Sequence, residues 1–418
     1  MKIPNILIVL KLLINKELSP MPHYNTIFNQ LFQFIPGHHF EKKVTELKMD
    51  NYCKSFTSWK QFLTLLYAQI SGKDSLREIE SGLMSNRNKL YHLGLDTVAK
   101  STLGDAMNRR DPKIFETMFY DVLGRAQGFS PKHKFKFSNP LYSIDSTTVS
   151  LCLNMFEWAK YRTRKGAIKI HTQLDHNGHL PCFLVLTDGK TSDIKAARIH
   201  IDIEPDSIYC VDKGYYDLKW FNFINLKKAF FVTRLKDNAD IIITGQHRPP
   251  NKKQGILEDN VIKFCSVASS AKYSEKMRAI DYIDEKTGKT YTFITNNFYL
   301  SAATIAEIYH QRWQIELFFK WIKQNLKIKS FLGTSENAVM SQIWTAMIYY
   351  LLLAYIKFMS KISISITEIG WRIKDGLMEC LNLLELLNIS RDKITKPPDW
   401  NAEIRQPDLF DWAFSIKF

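Results

Sequence analysis

The feature that most constrains the fold is a change of texture at Pro140, beyond which apolar runs of strand length alternate with helical patterns. Segments 141–151 (LYSIDSTTVSL), 167–175 (AIKIHTQLD) and 179–187 (HLPCFLVLT) read as strands, with Asn177-Gly178 as the hairpin turn between the last two. A helix over 193–201, a buried strand over 206–212, a helix over 217–227 and a strand over 229–235 follow. The order β-β-β-α-β-α-β predicts an α/β sheet of three antiparallel strands followed by crossover units. Residues 236–296 are polar and turn-rich, with strand-like pieces at 240–244, 261–267, 277–283 and 290–295. They read as a β-rich insertion ahead of a long helix over 301–328.

Before Pro140 the pattern is helical. WKQFLTLLYAQI (59–70) repeats apolar residues at helical spacing, Ser75-x-x-Glu78 is a capping box, and Asp111-Pro112 reads as a cap with proline at the first helical position. The helix near Ser101–Arg110 ends in paired arginines and fits either a recognition helix or an ordinary helix with exposed basic residues. Residues 1–20 read as an N-terminal extension, with Met21 the better start, and 21–135 as a helical N-terminal domain. An α/β domain over 136–350 and a C-terminal helical region over 351–418 complete the expected division. The uncharged run Ile343–Ile356 falls short of the ~20 residues that a membrane span needs, and predicts a buried helix instead. Six scattered cysteines without C-x2-C pairs or matched histidines argue against a zinc site or a disulfide framework. Cys152, Cys182 and Cys210 read as core residues in a reducing cytoplasm.

The net charge of +15 suggests a polyanionic partner, and its distribution is uneven. Residues 1–140 and 141–330 carry +8 each, whereas 331–418 carry −1. The steepest stretch, 131–170, nets +6 and places Lys160, Arg162, Arg164, Lys165 and Lys169 within ten residues. Taken alone, such a run also fits a solvated loop.

Three acids stand out against this background. Asp145 lies within the first strand, and Asp212 ends the buried strand IYCVD, where open α/β sheets place their sites. A helix cap or turn aspartate is the plain alternative for either. On the 301–328 helix, Tyr309, Arg312, Glu316 and Lys323 fall within about 60° of one another at about 100° per residue, and Lys320 and Lys327 join them. Glu316 could simply pair with Arg312 or Lys320 at helical spacing, but the surplus of cations exceeds what a solvated pair requires. Carboxylates on the first strand, at the end of the fourth and on the helix after the fifth form an oxygen-donor set for two divalent ions. Two such ions ~4 Å apart activate the attacking oxygen and stabilise the leaving oxygen in phosphodiester chemistry. Paired acids alone, as in a glycosidase, would not explain the cations.

The spacing Tyr309-x2-Arg312-x3-Glu316-x6-Lys323 resembles the Y-x2-R-x3-E-x6-K signature of DDE transposases of the insertion sequence 4 family. YSIDST (142–147), KGAIKIHTQLD (165–175), VDKGYYD (211–217), FVTRLK (231–236) and FITNN (293–297) are similar to that family's blocks, although Lys213 stands where arginine is frequent. The resemblance implies an RNase H-like catalytic core (β-β-β-α-β-α-β-α) with a β-rich insertion, preceded by a helical DNA-binding domain and followed by C-terminal helices. It implies a catalytic and metal-binding triad of Asp145, Asp212 and Glu316, holding two Mg²⁺ ions with Mn²⁺ as a substitute. Tyr309, Arg312 and Lys323 would contact the DNA backbone, with Arg162, Arg164, Lys165 and Lys169 as further phosphate contacts. The implied activity is cut-and-paste transposition: hydrolysis at the element's ends, then joining of the 3′-OH to target DNA. The implied partners are double-stranded DNA, both terminal inverted repeats and target, and a second copy of the chain on DNA. No membrane is implied, and the location would be cytoplasmic. The rivals are an RNase H-like nuclease that cuts without joining and a DNA-binding relative without catalysis; the presence of all three carboxylates weighs against the latter.

Overall fold

The computed structural model describes residues 25–151, 156, 158, 160–162, 165–285, 287–328 and 330–389, with the side chains of 92 and 160–165 outside the description. The extension at 1–20, Cys152, Arg164 and residues 390–418 also lie outside the described residues.

Helices α1 (Ile27–Phe32), α2 (Gly37–Glu46), α3 (Ser58–Ser71), α4 (Leu76–Ser85), α5 (Arg87–Leu90), α6 (Lys100–Arg109) and α7 (Lys113–Gln127) precede the strands. Their ends follow the local chemistry expected of them. Ser75 Oγ accepts from the Glu78 N–H at 3.2 Å, and the Glu78 carboxylate accepts from the Asp74 N–H at 3.2 Å. Asp111 accepts from the Lys113 N–H at 2.8 Å where α7 begins. Of the two arginines ending the α6 region, only Arg109 is exposed. Arg110 turns inward, donating to Gln61 Oε1 at 2.9 Å and to the Phe56 carbonyl while lying over the Phe56 ring, so it is a structural clamp.

Strands β1 (Leu141–Leu151), β2 (Lys160–Arg162), β3 (Lys165–Asp175) and β4 (Leu180–Asp188) lead to α8 (Asp193–His200), β5 (Ile208–Val211), α9 (Leu218–Leu226) and β6 (Phe230–Arg234). Then come β7 (Ile241–Gln246), β8 (Ile256–Phe264), α10 (Val267–Ser270), β9 (Met277–Ile283) and β10 (Thr290–Thr295). Among the described residues these ten strands form one mixed sheet in the order β2-β3-β1-β5-β6-β10-β9-β8-β7, with β4 on β3. β1 runs antiparallel to β3 and parallel to β5, and β5 runs parallel to β6, as the strand–helix alternation predicts.

Some details differ from the sequence reading. The β3–β4 turn spans His176–His179 rather than two residues: Asp175 pairs with Leu180, and Gly178 and His179 both take positive φ. Short β2 was not expected, and β8 starts at Ile256 rather than 261. The inserted strands extend the main sheet through the β10–β6 pairing. Cys210 is buried, but Cys182 is only half-buried.

A buried ion pair fastens this extension. Arg278 on β9 and Asp259 on β8 are both fully buried, and the guanidinium donates to the carboxylate at 2.7 and 2.6 Å. Arg278 also donates to the carbonyls of Asn297 and Leu300, in the loop that leads to the next helix.

After the sheet come α11 (Ala302–Gln311), α12 (Trp313–Asn325), α13 (Glu336–Ser360), α14 (Ile366–Gly376) and α15 (Leu383–Leu386). The single helix expected over 301–328 is two, because the Arg312 N–H bonds back to Tyr309 and the Ile315 N–H to Arg312, a tighter turn than the α-helical one. Helix α13 contains Ile343–Ile356 and is long and apolar enough to cross a membrane, yet nearly all of that stretch is buried in protein. Its apolar side chains share one core with α1–α7, α12, α14 and the β1, β3 and β4 residues Val149, Ile168 and Leu184.

Removing one member of the Asp259–Arg278 pair leaves a buried charge without its partner. Asp259→Ala is expected to destabilise the chain by about 3–5 kcal/mol, read as a lowered urea midpoint. The double exchange Asp259→Leu with Arg278→Met is expected to cost much less than the single one.

Candidate functional site

The sheet places the first two acids. In the parallel β1–β5 pair, Ile144 lies opposite Val211, so Asp145 and Asp212 follow paired residues on adjacent strands about 4.8 Å apart. Asp212 caps a single 3-10 turn, Lys213–Tyr215, and its Oδ1 accepts from the Gly214 N–H at 2.7 Å. A Cβ on Gly214 would lie 3.0 Å from that same oxygen, so glycine lets the backbone approach the carboxylate.

Helix α12 packs against β1 and brings in the third acid. Arg312, at the α11–α12 junction, donates to Glu316 Oε1 at 2.6 Å and to Asp145 Oδ2 at 3.5 Å, joining two of the three carboxylates. Burial, together with the negative charge of Asp212 and Glu316, pushes the Asp145 carboxyl up to about 6, against the lowering effect of the Ser146 N–H and Arg312. Burial works against the charge on Arg312, but its acidic partners raise its pKa and keep it protonated. Among the described residues no three His, Cys, Asp or Glu side chains stand close enough to hold a metal ion as placed. Arg312 supplies the compensating cation between Asp145 and Glu316 instead. The donor set still fits a divalent ion, since a hard cation prefers oxygen ligands and would relieve the repulsion that Asp212 and Glu316 exert on the Asp145 carboxylate.

Tyr309 packs on Phe293 of β10, ring centroids 4.8 Å apart, with the guanidinium carbons of Arg234 and Arg312 each 5.6 Å from its ring centre. Lys323 is half-buried near the end of α12. Lys169 donates to the Thr191 carbonyl at 3.0 Å and pairs with Asp193 at 3.2 Å, so its ammonium already has partners. For Arg162 and Lys165 only the backbone is described, on β2 and β3, and Arg164 is outside the described residues. Of the aromatics near Glu316, Trp313 is exposed, whereas Trp321 donates to Thr367 and packs on Tyr350.

Sequence reasoning missed a fourth acid. Asp193, the first residue of α8, accepts from Ser146 Oγ at 2.5 Å, and the Ser146 N–H donates to Asp145 Oδ1 at 2.7 Å. Ser146 thus connects a lysine-neutralised carboxylate to Asp145. Its adjacency to Asp145 was the available signal, whereas Asp193 becomes a neighbour only once β3, β4 and α8 are folded. Arg234 was likewise missed, because its contact with Tyr309 crosses from β6 to α11.

A model described as "Transposase DDE domain" matches residues 136–352, just over half of the chain. The chain belongs to the DDE transposases. It is 34% identical over 308 residues to "Putative transposase y4zB" of Sinorhizobium fredii, covering 73% of this chain and 82% of that protein. It is 29% identical to "Probable transposase for insertion sequence element IS5377" of Geobacillus stearothermophilus, over 54% of this chain and 59% of that one. A model described as "Domain of unknown function (DUF4372)" matches residues 23–96, within the N-terminal helices. Among solved structures, a piggyBac transposase synaptic complex with hairpin DNA aligns at TM-score 0.41 and 9% identity, covering 91% of this chain and 81% of that one. As a DDE transposase of an insertion sequence, the protein binds DNA and carries out divalent-metal-dependent DNA cleavage and strand transfer.

Three substitutions probe the surroundings of the acids. Ser146→Ala and Asp193→Asn are each expected to lower DNA cleavage on the order of 10- to 100-fold, as loss of a supporting hydrogen bond commonly does, while the thermal midpoint of Ser146→Ala stays near wild type. Gly214→Ala is expected to displace the Asp212 carboxylate and reduce cleavage without preventing folding, checked by activity alongside circular dichroism.

Proposed function

We propose that the chain is a cut-and-paste transposase of the insertion sequence 4 family whose catalytic residues are Asp145, Asp212 and Glu316. The observation that carries this reading is the arrangement of these acids: two follow paired residues on β1 and β5, and the third is joined to the first through Arg312. The order of β4, β3, β1, β5 and β6, followed after the insertion by α11 and α12, supports an RNase H-like core. Proposed boundaries are 21–135 for a helical DNA-binding domain, 136–350 for the catalytic domain and 351–418 for a C-terminal helical region.

In this reading Asp145, Asp212 and Glu316 hold two Mg²⁺ ions, for which Mn²⁺ substitutes. Bound there, the ions supply Lewis acidity to a scissile phosphate and lower the pKa of the attacking water or 3′-OH. The residues of the chain do the rest. Arg312, now paired with Asp145 and Glu316, would offer its planar donors to a DNA phosphate. Tyr309, packed between Arg234 and Arg312, fixes the direction of that guanidinium. Lys323, about two turns beyond Glu316 on α12, adds positive charge for the backbone on the same helix. Arg162, Arg164, Lys165 and Lys169 are further phosphate contacts in this reading; Lys169 exchanges its Asp193 contact for phosphate. Because two element ends must be held together, a homodimer on DNA, acting in the cytoplasm, completes the reading.

The test is strand transfer with labelled DNA carrying the element's terminal repeats in Mg²⁺. Glu316→Gln is expected to lose both cleavage and joining while still binding DNA. Undiminished cleavage by that variant would sink the triad assignment, and cleavage without joining by the wild-type protein would identify a nuclease instead.

A further inference from the structure

The segment between α7 and β1, PKHKFKFSNP (131–140), contributes +3 to the basic stretch and is not used by the site. Its side chains alternate in exposure. Lys132, Lys134 and Lys136 are exposed, whereas His133, Phe135 and Phe137 are half-buried between them. The inward residues form one ring cluster: Phe135 and Phe137 stack with centroids 5.0 Å apart, and His133 lies 5.7 and 5.0 Å from them. Both phenylalanines pack against the core beneath β5, β6 and α11.

Hydrogen bonds pin the same segment. The His133 N–H donates to Asn177 Oδ1 at 2.8 Å, and Asn139 Nδ2 donates to the Asp206 carbonyl at 2.6 Å. None of the three lysines forms an ion pair among the described residues, and the Asp206 atom that the segment meets is a neutral carbonyl oxygen. A loop that fixes three like charges in one row, none of them in an ion pair among the described residues, holds repulsion that a flexible tail would relax. A polyanion removes that repulsion.

We propose that Lys132, Lys134 and Lys136 form a row of contacts to the phosphate backbone of duplex DNA, separate from the catalytic carboxylates. The row rests on the reading of the chain as a DNA-acting transposase and adds a contact surface to it. It lies five to nine residues ahead of Leu141, where β1 begins, and β1 carries Asp145 four residue steps, or about 14 Å, further along. The anchors Asn177 and Asp206 adjoin that same end of β1, so the lysines meet DNA away from the bond being cut. The contacts are to phosphate and carry no sequence preference.

The test uses the full chain and a fluorescently labelled duplex of mixed sequence, with affinity measured across a series of salt concentrations. In Lys132→Ala/Lys134→Ala/Lys136→Ala the slope of log affinity against log salt is expected to be shallower by about 2.7, roughly 0.9 for each phosphate contact removed. Binding weakens correspondingly, while the thermal midpoint stays at the wild-type value. The triple arginine variant is expected to keep the wild-type slope, because it retains the charges. An unchanged slope in a folded alanine variant, with the wild type binding, overturns the lysine row and leaves the transposase reading intact. A wild-type chain that fails to bind DNA overturns both.

Discussion

The parallel pairing of β1 with β5 is the constraint on which the site depends. In the chain the two strands are separated by β2, β3, β4 and α8, so their register is set by tertiary structure and not by a turn. A slip of one residue would send Asp145 to the other face of the sheet. Several contacts resist that slip. Leu141, Ile144, Ile208 and Val211 are all buried, and the Ile208 N–H bonds to the Pro140 carbonyl just before the strand pair begins. The helices on both faces exist, in this sense, to keep two aspartates side by side.

Charge governs what that geometry can do. Burial, with the negative charge of Asp212 and Glu316, raises the affinity of Asp145 for a proton. Arg312 relieves part of this, and its position at a tight turn between α11 and α12 directs the guanidinium toward both Asp145 and Glu316. An unbroken helix would place the arginine and glutamate only at ordinary i, i+4 spacing. Beyond this group, Asp193 is balanced by Lys169 and held to Asp145 through Ser146, so three of the acids form a linked network.

Much of this was legible in the sequence. Alternating texture after Pro140 predicted the succession of strands and helices and the parallel crossovers, because buried central strands are uninterrupted apolar runs and their connecting helices keep a separate period. The Tyr309, Arg312, Glu316 and Lys323 spacing placed four chemistry-bearing groups on one stripe. Less legible were features that arise from distant pairing. The α11–α12 junction carries no glycine or proline, so no local signal marks it. Asp259 and Arg278 look like surface residues of a polar insertion until β8 and β9 pair and bury them. Arg110 resembles an exposed basic residue until the Phe56 loop closes over it. In each case a polar side chain is satisfied by groups that sequence cannot place.

Helix α13 gives the N-terminal helices a second meaning. A stretch as apolar as a membrane span is kept in water by being enclosed, and much of the enclosing surface comes from α1–α7 at the other end of the chain. Those helices are synthesised long before α13 exists, so they must keep their own apolar faces from aggregating until it arrives. Whatever else the N-terminal region does, it serves as a solubilising coat for the C-terminal part of its own chain. Detached from it, α13 would present a surface suited to lipid or to another protein's core.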